Sequence, residues 1–198
     1  MNFDYCNLFD VWKLVIDFLI NMNTHFNKTT KLVLGHAGQD VKDAITVDIE
    51  PLHKPDVLHD LNSVPYPFDN NQFQEIVCHH VLEHLNALIP VMQELHRICA
   101  PGGKIYIEVP HHSSWFAKTP EHKLLFNYFS FDGYIENGVT TWMKGGKFRL
   151  SRREITFHRT FRQFALHKLF NKYPLTYERF WAHMIPAEHL KLWLEPIK

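Results

Sequence analysis

Three cysteines in 198 residues, Cys6, Cys78 and Cys99, are too few and too irregularly spaced for a disulfide framework or a cysteine metal site. A reducing, cytoplasmic setting is the expectation that follows. No charge of one sign prevails, since Lys plus Arg and Asp plus Glu number 21 each. That balance excludes disorder driven by like-charge repulsion and argues against a chain held on nucleic acid by bulk electrostatics. The sequence has no apolar run approaching the roughly 18 residues that cross a bilayer, so no membrane partner is expected. Internal repeats and low-complexity linkers are missing too. The chain therefore reads as a single domain over residues 1–198, long enough to bury a real core.

What is present is an ordinary 45% of apolar residues, with unusually many histidines (15) and phenylalanines (16). Leu8, Val11, Trp12, Val15, Ile16 and Leu19 recur at helical spacing within 3–21, and Asn7, Asp10, Lys13, Asp17 and Asn21 fall opposite. This predicts an N-terminal cover helix over 1–21; it lacks the basic start of a secretory signal. Short apolar runs at 31–34, 44–47, 57–58, 75–78 and 104–109 predict buried parallel strands. Between the last two, Leu88, Val91, Met92, Leu95, Ile98 and Cys99 share one face of a helix that Pro101-Gly102-Gly103 stops. Strand, helix and strand in that order make a βαβ unit, so the fold class is α/β. Further on, 147–159 and 189–194 read as strands and 177–184 as a helix.

The chemistry-bearing residues sit at the strand ends, where ligands bind in such sheets. Gly35-His36-Ala37-Gly38 is a small-residue turn through which backbone can approach a ligand. Asp48, followed by Ile49, ends the second strand, where an acid can accept ribose hydroxyls. Asp60-Leu61 follows the third strand and can face a base. His79-His80 follows the fourth strand.

Three segments in order carry a family resemblance. Val64-Pro65-Tyr66-Pro67-Phe68-Asp69-Asn70-Asn71-Gln72-Phe73, Val81-Leu82-Glu83-His84 and Arg97 to Gly103 resemble the corresponding motifs of class I S-adenosylmethionine-dependent methyltransferases. Val109 to Ser114 and Thr119 to Lys123 are similar to small type-11-like bacterial members. The resemblance implies a Rossmann-like, doubly wound seven-stranded sheet of order 3-2-1-4-5-7-6 with strand 7 antiparallel and helices on both faces. It implies S-adenosyl-L-methionine as cofactor, over Gly35, His36, Ala37, Gly38, Asp48, Ile49, Asp60, Leu61, His79 and His80. Residues 30–110 would form the cofactor-binding core, 111–160 the substrate-side cover and 176–198 a C-terminal helix and last strand.

The expected reaction is in-line methyl transfer to a small-molecule acceptor, a sugar or glycan precursor or a secondary metabolite. His111, His112 and His122 are the candidate general bases, because histidine titrates near working pH. No metal is expected, since no H-E-x-x-H or paired-cysteine pattern occurs. The chain departs from the family at Ala37 and Asp40, which stand where glycines are usual, and in a first crossover too short for a helix. Two alternatives remain open: a catalytically silent binding protein of the same fold, and a histidine-rich metal-dependent hydrolase. Trp115, Phe116, Phe126, Phe129 and Phe131 suit either a substrate pocket or the core. The run Lys144, Lys147, Arg149, Arg152, Arg153 and Arg159 suits a solvated strand face or an anionic substrate.

Overall fold

The structure, a computed structural model, describes residues 30–38, 41–138 and 147–198. The expected cover helix within 1–21, together with Asp40 and Lys144, lies outside them. Seven strands form one sheet: β1 (Lys31–Leu34), β2 (Ile45–Asp48), β3 (Val57–Leu58), β4 (Phe73–His79), β5 (Cys99–Pro110), β6 (Phe148–Phe157) and β7 (Ala187–Pro196). Their spatial order is β3-β2-β1-β4-β5-β7-β6. The first five run parallel, and β7 is antiparallel to both β5 and β6. This is the α/β sheet, with the order and the antiparallel seventh strand, that the resemblance implied.

The apolar runs form central strands because the residues they place on one face of the sheet pack into the core. Leu32, Leu34, Val47, Ile76, Cys78, Ile105 and Ile107 are all buried in the core. Register follows from this: Leu34 pairs with Val47 on one side and Cys78 on the other. Helix α1 (Leu88–Ile98) buries Val91, Met92, Leu95 and Ile98. Its Arg97 bonds to Glu94 and to the carbonyls of Tyr66 and Phe68, while Glu94 accepts from the Tyr66 amide at 2.6 Å. The Arg97 and Tyr66-to-Phe68 motifs thus serve one structural purpose, fixing the 65–71 loop beneath α1.

Several boundaries differ from expectation. β5 begins at Cys99, ahead of the Pro-Gly-Gly turn, because Cys99 already pairs with Phe73 across a bulge. β6 stops at Phe157, since His158 caps a short helix, α2 (Arg159–Gln163). Helix α3 (Leu166–Lys172) and a single turn α4 (Pro174–Thr176) follow; the sequence reading had not marked these three. The helix expected over 177–184 is instead a π-helical turn over Tyr177–Trp181. Tyr177 Oη donates to the Ile185 carbonyl at 2.9 Å and accepts from the Ala187 amide at 2.8 Å, which pins the widened turn to the start of β7. Among the described residues no α-helix connects β1 to β2, β2 to β3 or β3 to β4, so helical cover on both faces is not seen there. No helix among them is long and apolar enough to cross a membrane.

Candidate functional site

Gly35 leaves β1 at φ +68°, and its amide donates to the Val47 carbonyl at 2.8 Å. A Cβ at this position would lie 2.7 Å from Val81 Cγ2, so only glycine lets the turn meet the chain beyond β4. Ala37 takes the left-handed conformation too, at φ +49°. The conformation usually left to glycine is held here by an alanine, whose amide donates to Asp48 Oδ2 at 3.2 Å. Asp48 is buried, and its carboxylate also accepts from the Glu50 amide at 3.0 Å and lies 3.1 Å from His53 Nδ1. Burial raises its pKa, but the bonds from Glu50, His53 and Ala37 outweigh that and hold it below the ordinary value. Asp60 Oδ1 accepts the Asn62 amide and side chain, both at 2.9 Å. Those bonds hold its carboxyl below the usual range.

These residues line one cavity of about 340 Å³, within the range of small-molecule sites. Gly35, Ala37, Asp48, Ile49, Asp60, Leu61 and His80 of the sequence-predicted set all meet there. His36 and His79 line an adjoining cleft of about 500 Å³, shared with Gly35, Ala37 and His80. Gly38 belongs to neither lining and sits beside His53. His53, His59, Asn62, Val81, His84, Leu85 and Lys123 complete the first cavity, and sequence reasoning had assigned none of them a cofactor role. His53 and Val81 could have been found from spacing alone, each lying one turn beyond a strand end.

The lining fits S-adenosylmethionine. An ionised carboxylate offers about four acceptor positions, and protein donors take three at Asp48, which leaves capacity for a ribose hydroxyl. Asp60 Oδ2 accepts no hydrogen bond among the described residues and suits an exocyclic amine. Ile49, 64% exposed at the cavity wall, and Leu61 supply apolar surface for a flat base.

The far wall is histidine-rich. His80 lies at φ +51°, with its amide on the Glu108 carbonyl and its Nδ1 3.2 Å from Glu83 Oε1. Strain of this kind, held by surrounding bonds, is common at functional sites. Glu83 begins no α-helix. It lies in a 3-10 turn (Leu82–His84) and is only 1% exposed. Its carbonyl accepts the amides of Lys123 at 2.8 Å and Leu124 at 3.0 Å, which brings the 121–124 segment over it. His122 consequently stands edge-on to His84, with ring centres 4.7 Å apart, and beside Phe116.

His111 and His112 are placed elsewhere. Both Nε2 atoms lie 2.9 Å from the two oxygens of Glu178, and His111 Nδ1 is 2.8 Å from Ser113 Oγ. Glu178 also accepts the Tyr128 amide at 2.7 Å. Burial raises the Glu178 pKa, yet the histidine bonds outweigh it and bring it to about 2; burial pushes His111 down. Neither histidine lines the two cavities. The aromatic group divides: Phe126 and Phe131 stack in the core at 5.3 Å, Phe116 faces His80 and His122, and Trp115 is exposed. In the basic run, Arg153 is buried against Asp132 at 2.6 Å and the Tyr128 carbonyl at 2.6 Å, so it supports the fold rather than a solvated face. Arg152 lies over the Trp193 ring.

Comparison with known proteins follows this geometry. A family profile described as a methyltransferase domain matches residues 30–195. A search of curated proteins returns no match. Among solved structures, an S-adenosylmethionine-dependent methyltransferase from Archaeoglobus fulgidus superposes with a TM-score of 0.56 at 14% identity, covering 97% of this chain and 100% of that one. The protein complexed with the Trm112 methyltransferase activator of Haloferax volcanii gives 0.55 at 12% identity, covering 94% and 93%. The [4+2]-cyclase SpnF gives 0.51 at 13% identity, covering 85% and 75%. At these identities the likeness is one of fold.

Proposed function

Since this chain belongs to the methyltransferase-domain family, with S-adenosylmethionine as its cofactor, we propose that it methylates a small molecule bound beyond the ends of β4 and β5. The cofactor supplies a methyl group made electrophilic by its sulfonium sulfur. The observation that carries the reading is the meeting of the Gly35–Ala37 turn, Asp48 and Asp60 with His80, itself held by Glu83, around one cavity.

In this reading Gly35, His36, Ala37, Asp48, Ile49, Asp60, Leu61, His79 and His80 hold the cofactor, and Gly38 closes the turn beside His53. His80 closes the cavity at the acceptor end. An ionised Glu83 only accepts, so His80 donates from Nδ1 and keeps a lone pair on Nε2 to take the acceptor's proton. We favour it over His111, whose two ring nitrogens are both engaged, and over His112, whose Nε2 is bonded to Glu178 and which lines neither cavity. His122 stands on the other side of Glu83 as a further candidate. The 111–160 segment covers the acceptor and excludes water there. An overall neutral chain and a small cavity favour an uncharged or lightly charged acceptor, such as a hydroxylated sugar precursor or secondary metabolite, over nucleic acid.

Calorimetry with S-adenosylhomocysteine tests the reading, and micromolar binding at one site per chain is expected. A folded protein that ignores the ligand at high micromolar concentration would instead support the silent binding protein, which left-handed Ala37 favours. Family membership sets the hydrolase alternative aside.

A further inference from the structure

Three clusters of histidine and carboxylate have ligand atoms within 4.8 Å of one another: His79, His80 and Glu108; His111, His112 and Glu178; and Glu83, His84 and His122. The first has its own cation. Lys191 Nζ lies 3.2 Å from Glu108 Oε1, and the Tyr106 hydroxyl donates to Glu108 Oε2. In the second, both Glu178 oxygens are hydrogen-bonded to the histidines.

The third is different. Glu83 is 1% exposed, and among the described residues its Oε2 has no hydrogen-bond partner. A buried carboxylate oxygen left in this state is costly unless something positive meets it. His84 Nδ1 lies 3.2 Å from the Glu121 carbonyl. A carbonyl only accepts, so the proton is on Nδ1 and the lone pair is on Nε2. This is the outer bond that orients a metal-ligating histidine. The Glu83 carbonyl holds the Lys123 and Leu124 amides, which fixes His122 against the same turn.

We propose that Glu83, His84 and His122 bind a divalent cation at the acceptor end of the cofactor cavity. Two imidazoles and one carboxylate suit zinc or another first-row divalent ion, and leave coordination positions open. His84 lines the cavity, so those positions reach the space an acceptor would enter. The bound ion's use rests on the methyl-transfer reading: it would hold an acceptor through a hydroxyl oxygen and favour that hydroxyl's ionisation, with His80 alongside. Under this assignment His122 is a ligand and not a base.

The test is calorimetric titration of tag-free, chelator-stripped protein with zinc chloride, and with cobalt chloride followed by visible absorption. One ion per chain and a cobalt spectrum with nitrogen ligation are expected. Glu83→Gln and His122→Ala, each checked for native circular dichroism, should weaken binding more than about tenfold. His158→Ala, at an exposed helix cap, should leave it unchanged. Binding weaker than about 100 µM, or equal binding by wild type and both variants, would overturn the site. S-adenosylhomocysteine is titrated separately, with and without chelator. Zinc binding without nucleoside binding would leave the cation site standing and remove the methyl-transfer reading; the converse would do the opposite.

Discussion

The cluster of His111, His112 and Glu178 and the cluster of Glu83, His84 and His122 use the same residue types on neighbouring strand ends, yet they differ in what the carboxylate has already met. Both oxygens of Glu178 are engaged, by two imidazoles and the Tyr128 amide, and through them it joins the end of β5, the cover segment and the π turn. Glu83 shares one oxygen with His80 and, among the described residues, leaves the other unmatched in a buried place. A satisfied buried carboxylate is a fastening. An unsatisfied one is a vacancy in the hydrogen-bond accounting that function can explain. Residue type alone does not separate the two; the state of each oxygen does.

The sharpest way to break this contrast is to remove each acid. Glu178→Ala strands two imidazoles and an amide, so the unfolding free energy in urea should fall by roughly 3 kcal/mol. Glu83→Gln, in metal-free protein, should change it by less than about 1 kcal/mol. Equal losses would erase the distinction between fastening and site.

Acid provides a second approach to the same pair. The Glu178 pKa falls from the ordinary 4.5 to about 2 on folding. A depressed carboxyl contributes stability that is full above the unfolded value and lost as pH falls through the folded one. Between pH 4.5 and about 2 the protein should lose up to about 3 kcal/mol, and the Glu178→Gln variant should lose much less over that window.

This contrast was half legible in the sequence. The strand runs, α1 and the motif-bearing Arg97 were readable because buried parallel strands and amphipathic helices imprint local periodicity. Asp48 and Asp60 were readable because one ends a strand and the other follows one closely. Glu178 was not, since it lies 66 and 67 residues from the histidines it serves and nothing local marks the pairing. Nothing local marks Glu83 as buried, and only the fold of 121–124 over it reveals its burial. Leu166, Leu169 and Phe170 of α3 do carry helical spacing, but the left-handed Ala165 and Pro174 cut the signal too short to trust.

At the cofactor end, Asp48→Ala should weaken S-adenosylhomocysteine binding by roughly 1–3 kcal/mol, the scale for losing a charged acceptor. Calorimetry on the folded variant measures it; unchanged affinity would place the ribose elsewhere. The smallest expected effect is at Ala37. Ala37→Gly removes a left-handed alanine and should raise stability by about 0.5–1 kcal/mol, after the entropy that glycine adds to the unfolded chain. A loss on thermal melting would mean that the surrounding bonds to Asp48 need the methyl group.

β7 lies between β5 and β6, and among the described residues β6 pairs with no other named strand, only with Ile135 through a bridge at Phe148. During synthesis β6 therefore emerges with the edge that β7 will occupy open, and it stays so until the ribosome has released β7. Over that interval β1 to β5 already hold their full complement of strand partners on one side. The nascent chain carries an incomplete sheet beside a ready-made template for the wrong strand, and holdase chaperones are what would shield it.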